Sequence, residues 1–266
     1  MDQFNLWSKA YYLAPYPCVA NTHIIEYDME KANINVLLYY KAIDQKLYDM
    51  LYSMDKLSRE IYIGKMEARN PEFTRIKADG IKEFRRRFIE QNNIQNKDIL
   101  AIKNDAIYVI GDHEVTTAFD NVVFRRANDY TAFMKIGGLE VYYAYDPISD
   151  HEVLDIKGIR EEKLELHREY MVSHICDVLY MLQCCSIEEA IKTNSELLEH
   201  FLNRRLDKGY YREFNAESKY RFNAGFNSFV IDYINDDEVK YIDLSVNVNV
   251  LRNISGCLST LYFSHK

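Results

Sequence analysis

A long helical period gives way to short alternating strands after residue 92, and that switch decides the fold class. Across Glu72–Asn92, Phe73, Ile76, Ile81, Phe84 and Phe88 recur at helical spacing and supply one apolar side. Arg75, Lys77, Lys82, Arg85, Arg86 and Arg87 make the same segment basic. Beyond it, Ile99–Ile102 and Ala106–Ile110 flank the polar trio Lys103, Asn104 and Asp105, which predicts two strands joined by a tight hairpin. Residues 121–126, 130–136 and 139–145 read as further strands, with Gly137 and Gly138 as a turn, and residues 155–159 close the β-rich section.

The flanking segments complete the pattern. Residues 1–22 read as irregular, with Pro15 and Pro17 marking an extended lead-in. His23–Tyr27 reads as a strand, and helical spacing follows over 30–40, 44–54 and 56–63 until Asn70 and Pro71 break it. From Glu161 to about Leu206 the period is helical again. Strand-like runs follow at Ser228–Ile234 and Val239–Val250. Helices and strands are grouped rather than alternating, so the expected class is α+β with an antiparallel sheet packed on helices.

Composition narrows the function. Lys plus Arg number 33 and Asp plus Glu 41, a net charge of −8, so any contact with phosphate must come from a local patch. Cys18, Cys176, Cys184, Cys185 and Cys257 fit neither a C-x-x-C metal pair nor a disulfide framework. They read as buried free thiols in a reducing compartment, with Cys184 and Cys185 ending an apolar stretch. Met1 is followed by Asp2 and a polar run rather than a secretory leader. No apolar stretch approaches the roughly 20 residues that span a bilayer. The expectation is a soluble cytoplasmic protein with no membrane partner. The 22 Tyr against 1 Trp, with frequent Asn, Ile and Lys, fit an AT-rich coding bias of a phage or low-GC bacterium, and a phage protein would work in the host cytoplasm. The histidines form no H-E-x-x-H pattern, and His167 and His174 read as packing residues. Phosphate-loop and nucleophile-elbow motifs are absent.

Two carboxylates stand at informative places. Asp28 ends the first strand, and Asp105 sits at the hairpin tip. Neighbouring strands would project both from one sheet edge, where such a pair can hold two Mg²⁺ ions ~4 Å apart. The alternative readings are an N-cap for Asp28 and turn chemistry for Asp105.

Here the chain resembles the palm of family B DNA polymerases, particularly the protein-primed ones. Their first palm motif reads D-x-x-S-L-Y-P, and Asp28–Ile34 (DMEKANI) keeps the Asp and a helix-entering run, without the Tyr and Pro. Their fingers motif reads K-x-x-x-N-S-x-Y-G, and Lys56–Gly64 (KLSREIYIG) keeps the Lys-to-Gly spacing, with Glu60 for the Asn. Their third motif reads D-T-D-S, and Lys103–Ala106 (KNDA) keeps the second Asp as Asp105. A K-K-x-Y strand has its counterpart at Glu140–Tyr143 without the lysines, while the following K-G is kept as Lys157 and Gly158.

The resemblance implies a palm over residues 23–160 with short fingers at about 41–70. It further implies an N-terminal extension at 1–22 and a thumb-like helical region with a mixed C-terminal segment at 161–266, without the exonuclease domain that precedes the palm in the family. The implied reaction is template-directed nucleotidyl transfer, as a minimal or split DNA polymerase of phage type. Asp28 and Asp105 would be catalytic and would hold two Mg²⁺, or Mn²⁺ in substitution, with the backbone carbonyl of Met29. Lys56, Arg59, Asn33 and Gly64 would bind the nucleotide. Arg75, Lys82, Arg86, Tyr142 and Lys157 would contact nucleic acid. Implied partners are a primer-template, nucleoside triphosphates and other replication subunits. Asn33 stands where the family's sugar-sensing Tyr stands, so a primase or RNA-synthesising polymerase is an alternative. A degenerate palm kept as a scaffold or nucleic-acid-binding subunit is another.

Overall fold

Apolar alternation along β2 (Cys18–Met29) and β4 (Ala106–Ile110) gives the first half of the chain a sheet with one face turned to a helix. Ile25, Tyr27 and Met29 share that face with Ile107 and Val109, as a period of two requires. The facing helix is α4 (Glu72–Gln91).

The computed structural model describes residues 5–165, 167–211, 220–224, 227–231 and 245–264. They form two compact units, one drawn from Met1–Pro15 and His23–Asp129, the other from Tyr16–Thr22 and Tyr130–Lys266. β2 and β6 (Val122–Ile136) each supply residues to both. The class is α+β, with antiparallel strands packed against helices.

In the first unit, β1 (Tyr11–Leu13) pairs with β3 (Ile99–Lys103), β3 with β4, and β4 with β2, all antiparallel. A short hairpin joins β5 (Ala118–Phe119) to the start of β6. Helices α1 (Ala32–Tyr39), α2 (Gln45–Ser53), α3 (Lys56–Arg69) and α4 lie between β2 and β3 in sequence. Phe84 and Phe88 of α4 are fully buried, and Phe88 stacks on Phe124 with ring centroids 4.5 Å apart. Truncating a Phe so placed costs about 3–5 kcal/mol. The expected break holds: α3 ends at Arg69, and the Asn70 side chain accepts from the Glu72 N–H at 3.0 Å to start α4. The finger-length segment is α2 and α3, capped by Asp44 and Asp55, around Ile34, Leu37, Ile43, Leu51 and Ile63.

The second unit takes Tyr130–Ile136 of β6, β7 (Leu139–Asp146) and β8 (His151–Lys157), paired antiparallel in that order. α5 (Glu161–Glu165), α6 (Ser173–Cys184), α7 (Ile187–Leu202) and α8 (Ser245–Ser264) follow, with the pair β9 (Tyr220–Ala224) and β10 (Asn227–Ile231) before α8. Met134, Val141 and Ile156 share a core with Ile175, Leu179, Leu251 and Leu258. That shared core explains why residue 160, the expected palm boundary, lies inside this unit. Gly158 has φ +96°, and a Cβ there would meet the Gly138 carbonyl oxygen at 2.4 Å, so this glycine is required by the backbone itself.

Three expectations are corrected. β2 starts at Cys18 rather than His23, and residues 6–8 and 11–13 form a 3₁₀ turn and β1, so much of the N-terminal segment is ordered structure. Residues 245–250, expected in a strand, open α8, while 232–244 lie outside the described residues. Cys184 and Cys185 are exposed, because they follow the last inward residue of α6, Leu182, whereas Cys18 and Cys257 are buried. All five cysteines are free.

Candidate functional site

The site is built where β2 meets the β3–β4 hairpin. Asp28 pairs in register with Ala106, the residue after Asp105, and the Met29 N–H donates to the Asp105 carbonyl oxygen at 3.3 Å. The hairpin closes with Lys103 opposite Ala106, so Asn104 and Asp105 alone form its tip, and Asn104 takes φ +52°. Asn residues tolerate that left-handed conformation, which is why the tip reads Asn-Asp. Asp28 is a strand residue, not a cap: α1 is preceded by Lys31 at φ +44°, with no side-chain cap.

The Asp28 charge acts on Asp105. Burial pushes the Asp105 carboxyl above its ordinary range, the negative charge of Asp28 raises it further, and Lys56 and Arg85 pull it back. Asp28 is held by Arg125, whose Nη2 donates to Oδ2 at 3.1 Å. Its backbone neighbour Met29 is 1% exposed.

The expected nucleotide residues divide. Lys56 is exposed and close enough to act on Asp105. Asn33 lines a cavity with Asp105, and its Nδ2 donates to Glu60 at 2.9 Å. Arg59 is buried and donates to the Met54 carbonyl at 3.2 Å, so it braces α3. Gly64 is exposed on α3, with nothing within 4 Å of its Cβ position.

The expected nucleic-acid residues divide as well. Lys82 lines the same cavity. Arg75 is exposed but paired with Glu72 on its own helix. Arg86 is gripped by Glu83 and Glu90, which hold its guanidinium along α4. Tyr142 is 0% exposed and its hydroxyl donates to Glu140 at 3.0 Å, so it offers no surface to a nucleic acid. Lys157 pairs with Asp155 at 2.6 Å. Tyr142 and Lys157 belong to the second unit, the others to the first.

Sequence reasoning did not select Arg85. It is 1% exposed, its Nε and Nη1 have no hydrogen-bond partner, and it lines the cavity beside Asp105. Burial lowers its pKa to about 10, with Asp105 working against the shift. A signal was present: Arg85 lies four residues after Ile81 and three before Phe88, a charge on the apolar stripe.

Fold and site together define an α+β protein whose antiparallel sheet presents two neighbouring carboxylates at one edge of its first unit. The chain belongs to the family of the bacteriophage PBS1 gene 130 protein, whose sequence profile matches residues 3–259. That agrees with the phage-type composition. No curated protein is significantly similar to the chain. Among the described residues no helix is long and apolar enough to cross a membrane.

Proposed function

We propose that the first unit is the palm of a template-directed nucleotidyltransferase, a DNA polymerase of minimal or split type working in the host cytoplasm. The observation that carries this reading is the juxtaposition of Asp28 on β2 with Asp105 at the tip of the β3–β4 hairpin. Asp28 acts on Asp105 as a like charge, and a divalent cation held between the two would relieve that repulsion. No group of three or more His, Cys, Asp or Glu stands ready for a metal among the described residues. Mg²⁺ is usually held by one or two carboxylates together with substrate phosphates, so a pair of carboxylates would be enough.

Asp28, Asp105 and the Met29 carbonyl would hold the metal, which when bound neutralises phosphate charge and lowers the pKa of an attacking hydroxyl. Lys56 adds positive charge on the Asp105 side of the site, where a triphosphate would lie. Asn33 on the cavity wall is small enough to admit a sugar hydroxyl, which keeps RNA synthesis within the reading. The helices of the second unit would act as the thumb, with other replication subunits completing the path of the primer-template.

The test is Mg²⁺-dependent incorporation on a primed template, comparing wild type with Asp28→Asn and Asp105→Asn. Loss of at least about a hundredfold in both variants is expected for metal ligands. Incorporation that survives either substitution would sink the proposal.

A second reading has its own observation. The Arg125 ion pair already answers the charge of Asp28, as in a palm retained for binding rather than catalysis. In that case DNA binding would fall steeply with salt, yet no incorporation would accompany it.

A further inference from the structure

We propose that the cavity floored by Arg85 is a binding site for the phosphate groups of a small phosphorylated ligand. The cavity encloses about 380 Å³, within the range of small-molecule pockets, and lies wholly within the first unit. It rests on the nucleotidyl-transfer reading in sharing Asn33 and Asp105 with that site, but the phosphate contacts need neither a bound metal nor catalysis, so the two can fail separately.

Arg85 carries the inference. A guanidinium removed from water is costly unless its N–H groups are answered, and nearly all buried polar groups are. Here Nε and Nη1 are buried without a protein acceptor. Arg85 itself lines the cavity, so an acceptor arriving there would meet its guanidinium. Arg87, two residues on, shows the contrast: its guanidinium is fully engaged by Glu83, Asp120 and Tyr39.

The surrounding charges select the class of ligand. Lys82 also lines the cavity, and its Nζ stands 3.7 Å from Asp79, beyond hydrogen-bonding reach. Lys77 lines it too, steadied by Glu67 at 2.5 Å. Three cations face one carboxylate, Asp105. A carboxylate brings one charge and two acceptor oxygens to these cations, whereas a phosphate brings up to two charges and three acceptors, which Arg85 and Lys82 can share. The side chains of Asn33 and Asp105 supply acceptors for hydroxyl groups. A nucleotide has both kinds of group, and pyrophosphate has only the first.

The test is calorimetric titration in chelator-containing, metal-free buffer, using pyrophosphate, ATP, and sodium acetate at matched ionic strength. Wild type, Arg85→Met and Lys82→Glu are compared. Replacing a buried unpaired charge by a Met of similar length is expected to leave folding intact, and Lys82, which is only half-buried, guards against failure of the first variant. Binding of pyrophosphate or ATP, weakened at least about tenfold in both variants, is expected. The tighter of the two probes names the source of the phosphate. Equal binding of acetate, or undiminished affinity in Arg85→Met, would overturn the proposal.

Discussion

Arg125 reaches Asp28 from β6 to β2, Nη2 to Oδ2 at 3.1 Å, with their side chains 63% and 26% exposed. A pair so open to solvent is worth only about 0–1 kcal/mol. It nevertheless competes with a cation for the Asp28 carboxylate. Arg125→Gln is therefore expected to change urea stability by less than about 1 kcal/mol while raising Mg²⁺ affinity several-fold. Calorimetric Mg²⁺ titration of the two proteins checks this. Unchanged affinity would mean that Asp28 is not a metal ligand.

Asp105 makes a pH prediction of unusual sign. Its folded pKa lies above the ordinary 3.8 because of burial and Asp28. The folded state therefore holds its proton more tightly than the unfolded state. Stability linked to this group is complete below pH 3.8 and is lost as pH rises through the elevated folded value. Asp105→Asn is expected to raise the melting temperature at pH 7, and the advantage should shrink as pH falls toward the ordinary value. Paired thermal melts from pH 3.5 to 7.5 would show it. A constant difference across that range would remove the titrating carboxyl as the cause.

The same residues show what the sequence made legible. The helix read over Glu72–Asn92 occupies Glu72–Gln91, and the hairpin tip carries Asp105, because long amphipathic periods and Asn-Asp turns are local properties. α8 was hidden because Val246, Val248 and Val250 alternate with polar residues, which imitates a strand. Its burial instead follows Val248, Leu251, Ile254 and Leu258, a helical spacing that only partners in the second unit make decisive. Arg85 and Tyr142 were misjudged for a shared reason. Residue type suggests a surface, but neighbouring elements bury both. Registers such as Asp28 with Ala106 are non-local and appear only when the strands have paired.

Gly80 fixes how closely α4 approaches α1. A Cβ added there would stand 2.3 Å from Val36 Cγ1 and 2.8 Å from Tyr40 Cε2. Val36 is fully buried and stiff at χ1, so it cannot swing aside. Ala in a helix interior gains about 1 kcal/mol over Gly, while overpacking costs about 1–3 kcal/mol. Gly80→Ala is expected to destabilise the protein by up to about 2 kcal/mol and to displace Arg85, on the same helix, from the cavity wall. Urea denaturation reads the first effect, and pyrophosphate titration reads the second. A stabilised variant would show that α4 can slide without penalty.

Asn194 joins three helices of the second unit through one side chain. Its Nδ2 donates to the Leu251 carbonyl at 3.1 Å and to Ser255 Oγ at 2.8 Å, which leaves Oδ1 to accept from His174 Nε2 at 3.0 Å. Both Asn194 and His174 are buried. Asn194→Ala strands the His174 N–H, while the Leu251 carbonyl keeps the Ser255 hydroxyl, and a loss of about 1–3 kcal/mol is expected. His174 also carries a pH signature. Burial lowers its pKa below the ordinary 6.5, partly offset by the Asn194 bond and Asp177. The unfolded state then binds the proton more readily, so this stability is present above pH 6.5 and is lost as pH falls toward the depressed folded value. His174→Gln can still donate to Asn194 but cannot titrate. Between pH 7.5 and 5 its melting temperature should fall less than that of wild type. An identical fall in both proteins would assign the acid sensitivity to another group.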